Sequence, residues 1–451
     1  MFESDLRPQL TRYRRRIRPL QLAIGAAIVF FLSAGQLASQ ALPTQGRFAL
    51  FTSWSQRDWG NGPNGDFTEV IAMLSVHSDE GGSSLFDFAV DARLATYPSV
   101  ERDESVSLYE AWVGVHSTNR SWNLRLGQMW LHELGGLGSV GGFFGEYRQP
   151  TPSSWGRWRF GLFAGLELAP YELEYLSDIE KGGVYAALDG AHGRQHVLGY
   201  VRIRNQGLTE RSVVVFNNFI PVGRAFTLYE ALQYDTEGPA GIGDPELTYL
   251  FLNLRYRFSK AIDLQGTYHR GRSIDGRTIT EEVLGGRPVS PEVLRGFFFE
   301  SGRVRLAVRP ARRISLWIGY GNDRSERDDP TAKRLNIGFS ARRIFGTPMD
   351  FSLSSTATDR GDDSYDSHWA SLGYSFGSKV YVSVEYRDTI AVYRVDQGNG
   401  DTVEIRPDSD FLSISSNINL NRTFSLLLEA GILDHRDFEE NRVMTGLIIR
   451  F

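Results

Sequence analysis

Along much of this chain, apolar and polar residues alternate one by one. In Leu250–Phe258, Leu250, Leu252, Leu254, Tyr256 and Phe258 point one way, and Asn253, Arg255 and Arg257 the other. A period of two is what a β-strand between an apolar and a wet phase requires. After the short break Ser259-Lys260-Ala261, Ile262, Leu264 and Tyr268 oppose Asp263, Gln265 and His269. The same alternation places Val304, Leu306 and Val308 against Arg303 and Arg305. It recurs through Ile314–Tyr320, Leu335–Phe339, Val380–Tyr386 and Phe424–Leu428, whereas helical periodicity is almost absent. Tyr256, Phe258, Tyr320, Phe376 and Tyr386 end apolar faces, where an interfacial aromatic girdle belongs.

The connections sort into two alternating kinds. Thr118–Arg120, Ala191–Arg194, Pro221–Arg224, Ser259–Ala261, Pro310–Arg313, Gly377–Lys379 and Asn421–Thr423 are short. Arg57–Asp66, Ala169–Gly182, Asp235–Pro245, Ser273–Glu292, Asn322–Ala332 and Asp396–Thr402 are longer and polar. Short turns at one end and longer loops at the other predict a single closed antiparallel transmembrane β-barrel. The count is about 22 strands, an even number between roughly 18 and 22. Phe143–Arg148 is the weakest strand in the pattern. The first strand is expected near Arg47, with no plug domain before it.

Both termini sharpen this expectation. Arg12, Arg14, Arg15, Arg16 and Arg18 precede an uncharged, mostly apolar run from Leu20 to Gly35, and Ser39-Gln40-Ala41 offers small residues for cleavage. Residues 1–41 thus read as a signal peptide and 42–451 as the barrel. The run is shorter than the roughly 20 residues of a spanning helix. At the other end, Val443, Thr445, Leu447, Ile449 and Phe451 fall on one face of a strand. This ending, on an aromatic carboxy-terminus, resembles the terminal strand of Gram-negative outer-membrane barrels. The resemblance implies that these five residues are an assembly signal read by the barrel-assembly machinery, and that the protein sits among outer-membrane lipid.

Composition removes other classes. Hydrophobic residues make up 41% and charged residues 23%, a soluble-looking balance that spanning barrels share because only alternate residues face lipid. With no cysteine there is no disulfide and no thiolate metal site. A formal net charge of −5 gives no footing for a nucleic-acid partner.

The segment Gly136-Leu-Gly-Ser-Val-Gly141 spells G-x-G-x-x-G. A dinucleotide site needs that turn to open a helix, but the strand-like Phe143–Arg148 follows. By position this is the third external loop, and with Gly135, Gly136, Gly138, Gly141 and Gly142 it is similar to the porin loop that folds inward to narrow the pore. At a dozen residues it is short for crossing a wide lumen. The eight histidines are scattered, with His192 and His196 flanking a turn and His132 beside Glu133 at a loop base. Neither arrangement makes a metal or acid–base site, so no enzyme activity and no cofactor are expected.

With apolar faces outward, Arg202, Arg204, Arg255, Arg257, Arg303, Arg305, Arg334 and Arg342 would line the lumen in the middle third of the barrel. Asp87, Asp91, Glu110, Asp350, Glu385 and Glu429 would line it nearer the two ends of the sequence, on the opposite wall. Charges of this kind set selectivity. The expected function is a porin-like channel for passive passage of small hydrophilic solutes, with a leaning towards anions. The alternatives are a scaffold or secretion barrel whose lumen holds a partner protein or polymer, and an outer-membrane enzyme. The pattern is compatible with a homo-oligomer and does not specify one.

Overall fold

The computed structural model describes residues 44–60, 65–78, 84–100, 102–326, 328–361, 363–396 and 402–451. The leader assigned to residues 1–41 lies outside them. The first strands are β1 (Thr44–Asp58), β2 (Gly65–Ser78), β3 (Phe86–Thr96), β4 (Ser105–His116), β5 (Trp122–Trp130), β6 (Ser139–Arg148), β7 (Arg157–Leu168) and β8 (Tyr175–Asp189). Next come β9 (Gln195–Asn205), β10 (Leu208–Val222), β11 (Phe226–Glu237), β12 (Glu246–Arg257), β13 (Ile262–Ser273), β14 (Phe297–Ala311), β15 (Ile314–Ser325) and β16 (Asp328–Arg342). The rest are β17 (Met349–Arg360), β18 (Asp363–Phe376), β19 (Val380–Asp396), β20 (Thr402–Ile405), β21 (Ser409–Asn419), β22 (Phe424–His435) and β23 (Phe438–Arg450).

Each strand pairs antiparallel with its neighbour in sequence, except that β19 pairs with β21 in the wall while β20 forms a small flap on β19. β23 closes on β1 from Arg47↔Arg450 to Asp58↔Glu439. The result is a closed barrel of 22 wall strands, which leaves no sheet edge for lipid to meet. Gly46 and Phe451 complete the seam, exchanging backbone hydrogen bonds of 2.8 and 3.0 Å.

Because register partners share a face, one ion pair fixes the side of every strand. Arg57 donates to Glu440 at 2.6 Å, and from that pair the ladders put Ser53, Phe51 and Ala49 on one face and Trp54, Leu50 and Phe48 on the other. Followed around the barrel, the second face carries Leu252, Leu254, Val304, Leu306, Ile318, Ile337, Leu353, Leu372 and Ile414, which are largely exposed. Exposed apolar side chains in a continuous band, with aromatic pairs such as Tyr256–Phe258 and Tyr374–Phe376 at the end of the short turns, form a lipid-facing surface. The protein is an outer-membrane β-barrel.

Two connections are shorter than their polarity suggests. Asn322–Ser325 belongs to β15 and β16 already begins at Asp328, while β8 begins at Tyr175, within the segment expected to be loop. Above the lipid a strand needs no apolar face, so its hydropathy resembles that of a loop. The external segment 274–296 instead carries two helices, α1 (Gly276–Leu284) and α2 (Pro291–Arg295).

Candidate functional site

The third external connection folds into the lumen. β5 ends at Trp130, and a tight turn at His132–Leu137 reverses the chain, closed by the Leu131 N–H donating to the Gly138 carbonyl at 2.9 Å. Gly138 is required there: a Cβ would stand 2.1 Å from the Leu131 carbonyl oxygen, and Gly135 takes φ +58°. The turn drives Leu131, Leu134 and Leu137 against Val197, Val201, Ile203, Val213 and Val215 of β9 and β10, all nearly inaccessible. A fully buried Leu contributes about 1.5–3 kcal/mol, so the docked turn is strongly held. Asn217 donates to the Glu133 carbonyl at 2.7 Å and fixes the far end. The loop thus lies across the inner face of β7–β10 rather than spanning the lumen. Gly141 and Gly142 belong to β6, not to the loop, and because a strand follows, the G-x-G-x-x-G segment opens no helix.

Beneath the loop sits a buried charge network. Arg159 on β7 donates to Glu133 of the loop (2.5 Å), to Glu146 on β6 (2.9 Å) and to Asp189 on β8 (2.7 Å). The Tyr185 hydroxyl donates to Glu146 at 2.6 Å, and Arg148 reaches the other oxygen of Glu146 at 3.2 Å. Both Arg159 and Glu146 are 5% exposed, so the guanidinium acts as a clamp that joins three carboxylates in a dry sector. Beside it opens a polar cavity of about 350 Å³ whose lining includes Asp87, Asp91, Glu110, Trp112 and Arg125. Arg125 stacks on Trp112 at 4.1 Å, and His116 lies 3.5 Å from Asp87.

The opposite wall is wetter and basic. Arg255, Arg257, Arg303, Arg305, Arg309, Arg334 and Arg342 point inward from β12–β16, against inward Asp263 and Asp323. Asp263 accepts from Arg309 (2.7 Å) and Arg255 (3.3 Å). Asp323 is flanked by Arg303 (3.4 Å) and Arg334 (3.3 Å). Each aspartate therefore leaves one positive charge uncompensated. Arg305 stacks on Trp317 at 4.9 Å. Further round, Asp350 accepts from Tyr381, Glu385 from Trp369, and Glu429 from Arg442. Asp87, Asp91 and Glu110 on β3 and β4 lie half a circuit of the wall from Arg303 and Arg305 on β14.

Two of the arginines expected in the lumen are not there. Arg202 and Arg204 share the outward face of β9 with Leu198 and Tyr200, and Arg202 pairs with Glu237 at 3.4 Å. The apolar-outward rule inverts here because Val197, Val201 and Ile203 face inward onto the docked loop, giving β9 apolar residues on both sides. Asp263, Asp323, Arg309 and the Arg159 clamp were missed. Asp263 alternates with Ile262 and Leu264, so its face was legible, but its partners lie on other strands. Val443, Thr445, Leu447 and Phe451 lie on the outward face of β23, with Ile449 beside Phe48 and Phe424. His192 sits in a turn and His196 bonds to Asn218 at 2.8 Å. Among the described residues no group of three or more His, Cys, Asp or Glu is arranged to hold a metal.

No protein-family model and no curated protein matches this chain. Among solved structures it is similar to Pseudomonas aeruginosa OpdQ, at 11% identity over 90% of this chain and 99% of that one, with a TM-score of 0.43. Acinetobacter baumannii OccAB1 gives 9% identity, 90% and 97% coverage and a TM-score of 0.44. OccAB4 of the same species gives 12% identity, 91% and 98% coverage and 0.41. The functional reading rests on the lumen itself.

Proposed function

We propose that the barrel is a porin-like channel for passive passage of small hydrophilic solutes, narrowed by its third loop and leaning towards anions. The observation that carries this reading is the accessible arginine wall. Arg255 and Arg303 have side chains 44% and 54% exposed to the lumen, whereas Asp263 and Asp323, with which they pair, are largely covered. A solute therefore meets guanidinium groups more readily than carboxylates. Low-dielectric walls focus such a field, which raises the local concentration of anions. The sector beneath the third loop is filled by the chain itself, so a narrowed passage needs no partner protein.

Single-channel conductance and reversal potentials in a salt gradient test this. The wild type should conduct and lean towards anions, and Arg255→Glu with Arg303→Glu should shift the reversal potential clearly towards cations. A refolded, heat-modifiable protein with no conductance, or one insensitive to both reversals, would overturn the reading.

A further inference from the structure

The outward face of β5–β10 differs from the rest of the lipid-facing surface in two ways. First, an apolar groove of about 690 Å³ crosses it, lined by Leu124, Phe143, Phe160, Leu162, Val184 and Leu198 of β5 to β9. Second, Glu180 on β8 and Arg204 on β9 are register partners at its extracellular end, both exposed, and neither forms an ion pair among the described residues.

We propose that this face is an interface between two copies of the chain, centred on β8 and β9. The argument for a second copy is charge complementarity. A two-fold axis along the membrane normal, passing between Glu180 and Arg204, sets each of these residues against its opposite in the partner at the same height. Because the strands lean about 35–45° from the membrane normal, the same axis passes over Leu162 of β7 and lays the two apolar grooves together. This inference is independent of whether the lumen conducts.

The chain has no cysteine, so single cysteines report proximity cleanly. Leu162→Cys lies in the groove beneath the axis and Leu316→Cys faces outward on β15. In oxidised outer membranes Leu162→Cys should give a band of twice the monomer mass, and Leu316→Cys should not. Adding Glu180→Arg should cut the Leu162→Cys dimer severalfold, and adding Arg204→Glu as well should restore it, with heat-modifiability unchanged throughout. No Leu162→Cys dimer, equal dimer at both positions, no rescue by the charge swap, or a band at another protein's mass would overturn the proposal.

Discussion

The sector from β5 to β10 and the sector from β12 to β16 are built from similar strands, yet their inner faces differ completely. In the first, Met129, Val140, Val201, Val213 and Val215 are at most 1% exposed, and the charges among them are clamped on Arg159. In the second, most inward positions are polar or charged, among them Arg255, Arg303, Asn336 and Ser340, and many are partly exposed, with Tyr249, Phe251, His269 and Phe299 clustered toward the extracellular end. The difference arises from one short loop. Where the third connection docks, a strand has protein inside and lipid outside, so both faces turn apolar. Where no loop docks, water fills the inside and simple alternation survives. Inward charge also changes role: in the dry sector it holds structure together, and in the wet one it is available to solutes.

Removing one arginine from each sector should separate those roles most sharply. Arg159→Leu leaves Glu133 without its cation and Glu146 with Arg148 alone in a largely buried site, which should cost about 3–5 kcal/mol. Arg303→Leu removes an exposed partner and should cost at most about 1 kcal/mol. Urea unfolding of the vesicle-folded protein, followed by the gel shift of the folded form, measures both. Equal losses would mean that the two sectors are hydrated alike.

Face assignments give the next largest effect. In the open sector Leu252→Arg should destabilise by about 2–4 kcal/mol and Asn253→Arg by under about 0.5, because only the first meets lipid. In the filled sector that contrast should vanish. Leu198→Arg puts a charge in lipid and Val201→Arg puts one in the packed interior, each at about 2 kcal/mol or more. A silent Val201→Arg in the same assay would show that the docked loop is not closely packed.

The contrast also explains what could be read in the sequence. The barrel, its strand number near 22 and the inward arginines of β12–β16 follow from period-two alternation, because each strand there reports its own two environments. Arg202 and Arg204 were misplaced because the environment of β9 depends on Leu134, some 60 residues away, and no local pattern carries that information. The third loop was located by its glycines and its order in the chain. Where it docks was not legible, since Leu131, Leu134 and Leu137 look like any short apolar stretch. Arg159 lies in Arg157-Trp-Arg159, two charges around an aromatic residue, and only the folded register brings Glu133, Glu146 and Asp189 to it.

The smallest expected effect lies at the extracellular rim of the filled sector. Helix α1 covers it, with Ile279 buried and Arg277 donating to Glu167 of β7 at 2.9 Å. Asp275 caps the helix: its carboxylate accepts from the Thr278 N–H at 3.0 Å and from the Thr278 hydroxyl at 2.7 Å. Those bonds hold its carboxyl below the ordinary aspartate range. A group whose folded pKa is depressed stabilises fully above its unfolded value, about 3.9, and that contribution is lost as pH falls through the lower folded value. Protease protection of segment 274–296 should therefore stay constant from neutral pH down to about 4 and fall only below it. Asp275→Ala should remove about 1 kcal/mol of helix stability at neutral pH, raising the nicking rate of this segment while leaving β12–β16 untouched. If the nicking rate stays unchanged, the helix is held by Arg277 and Ile279 alone, and the rim of the filled sector is as firmly docked as its core.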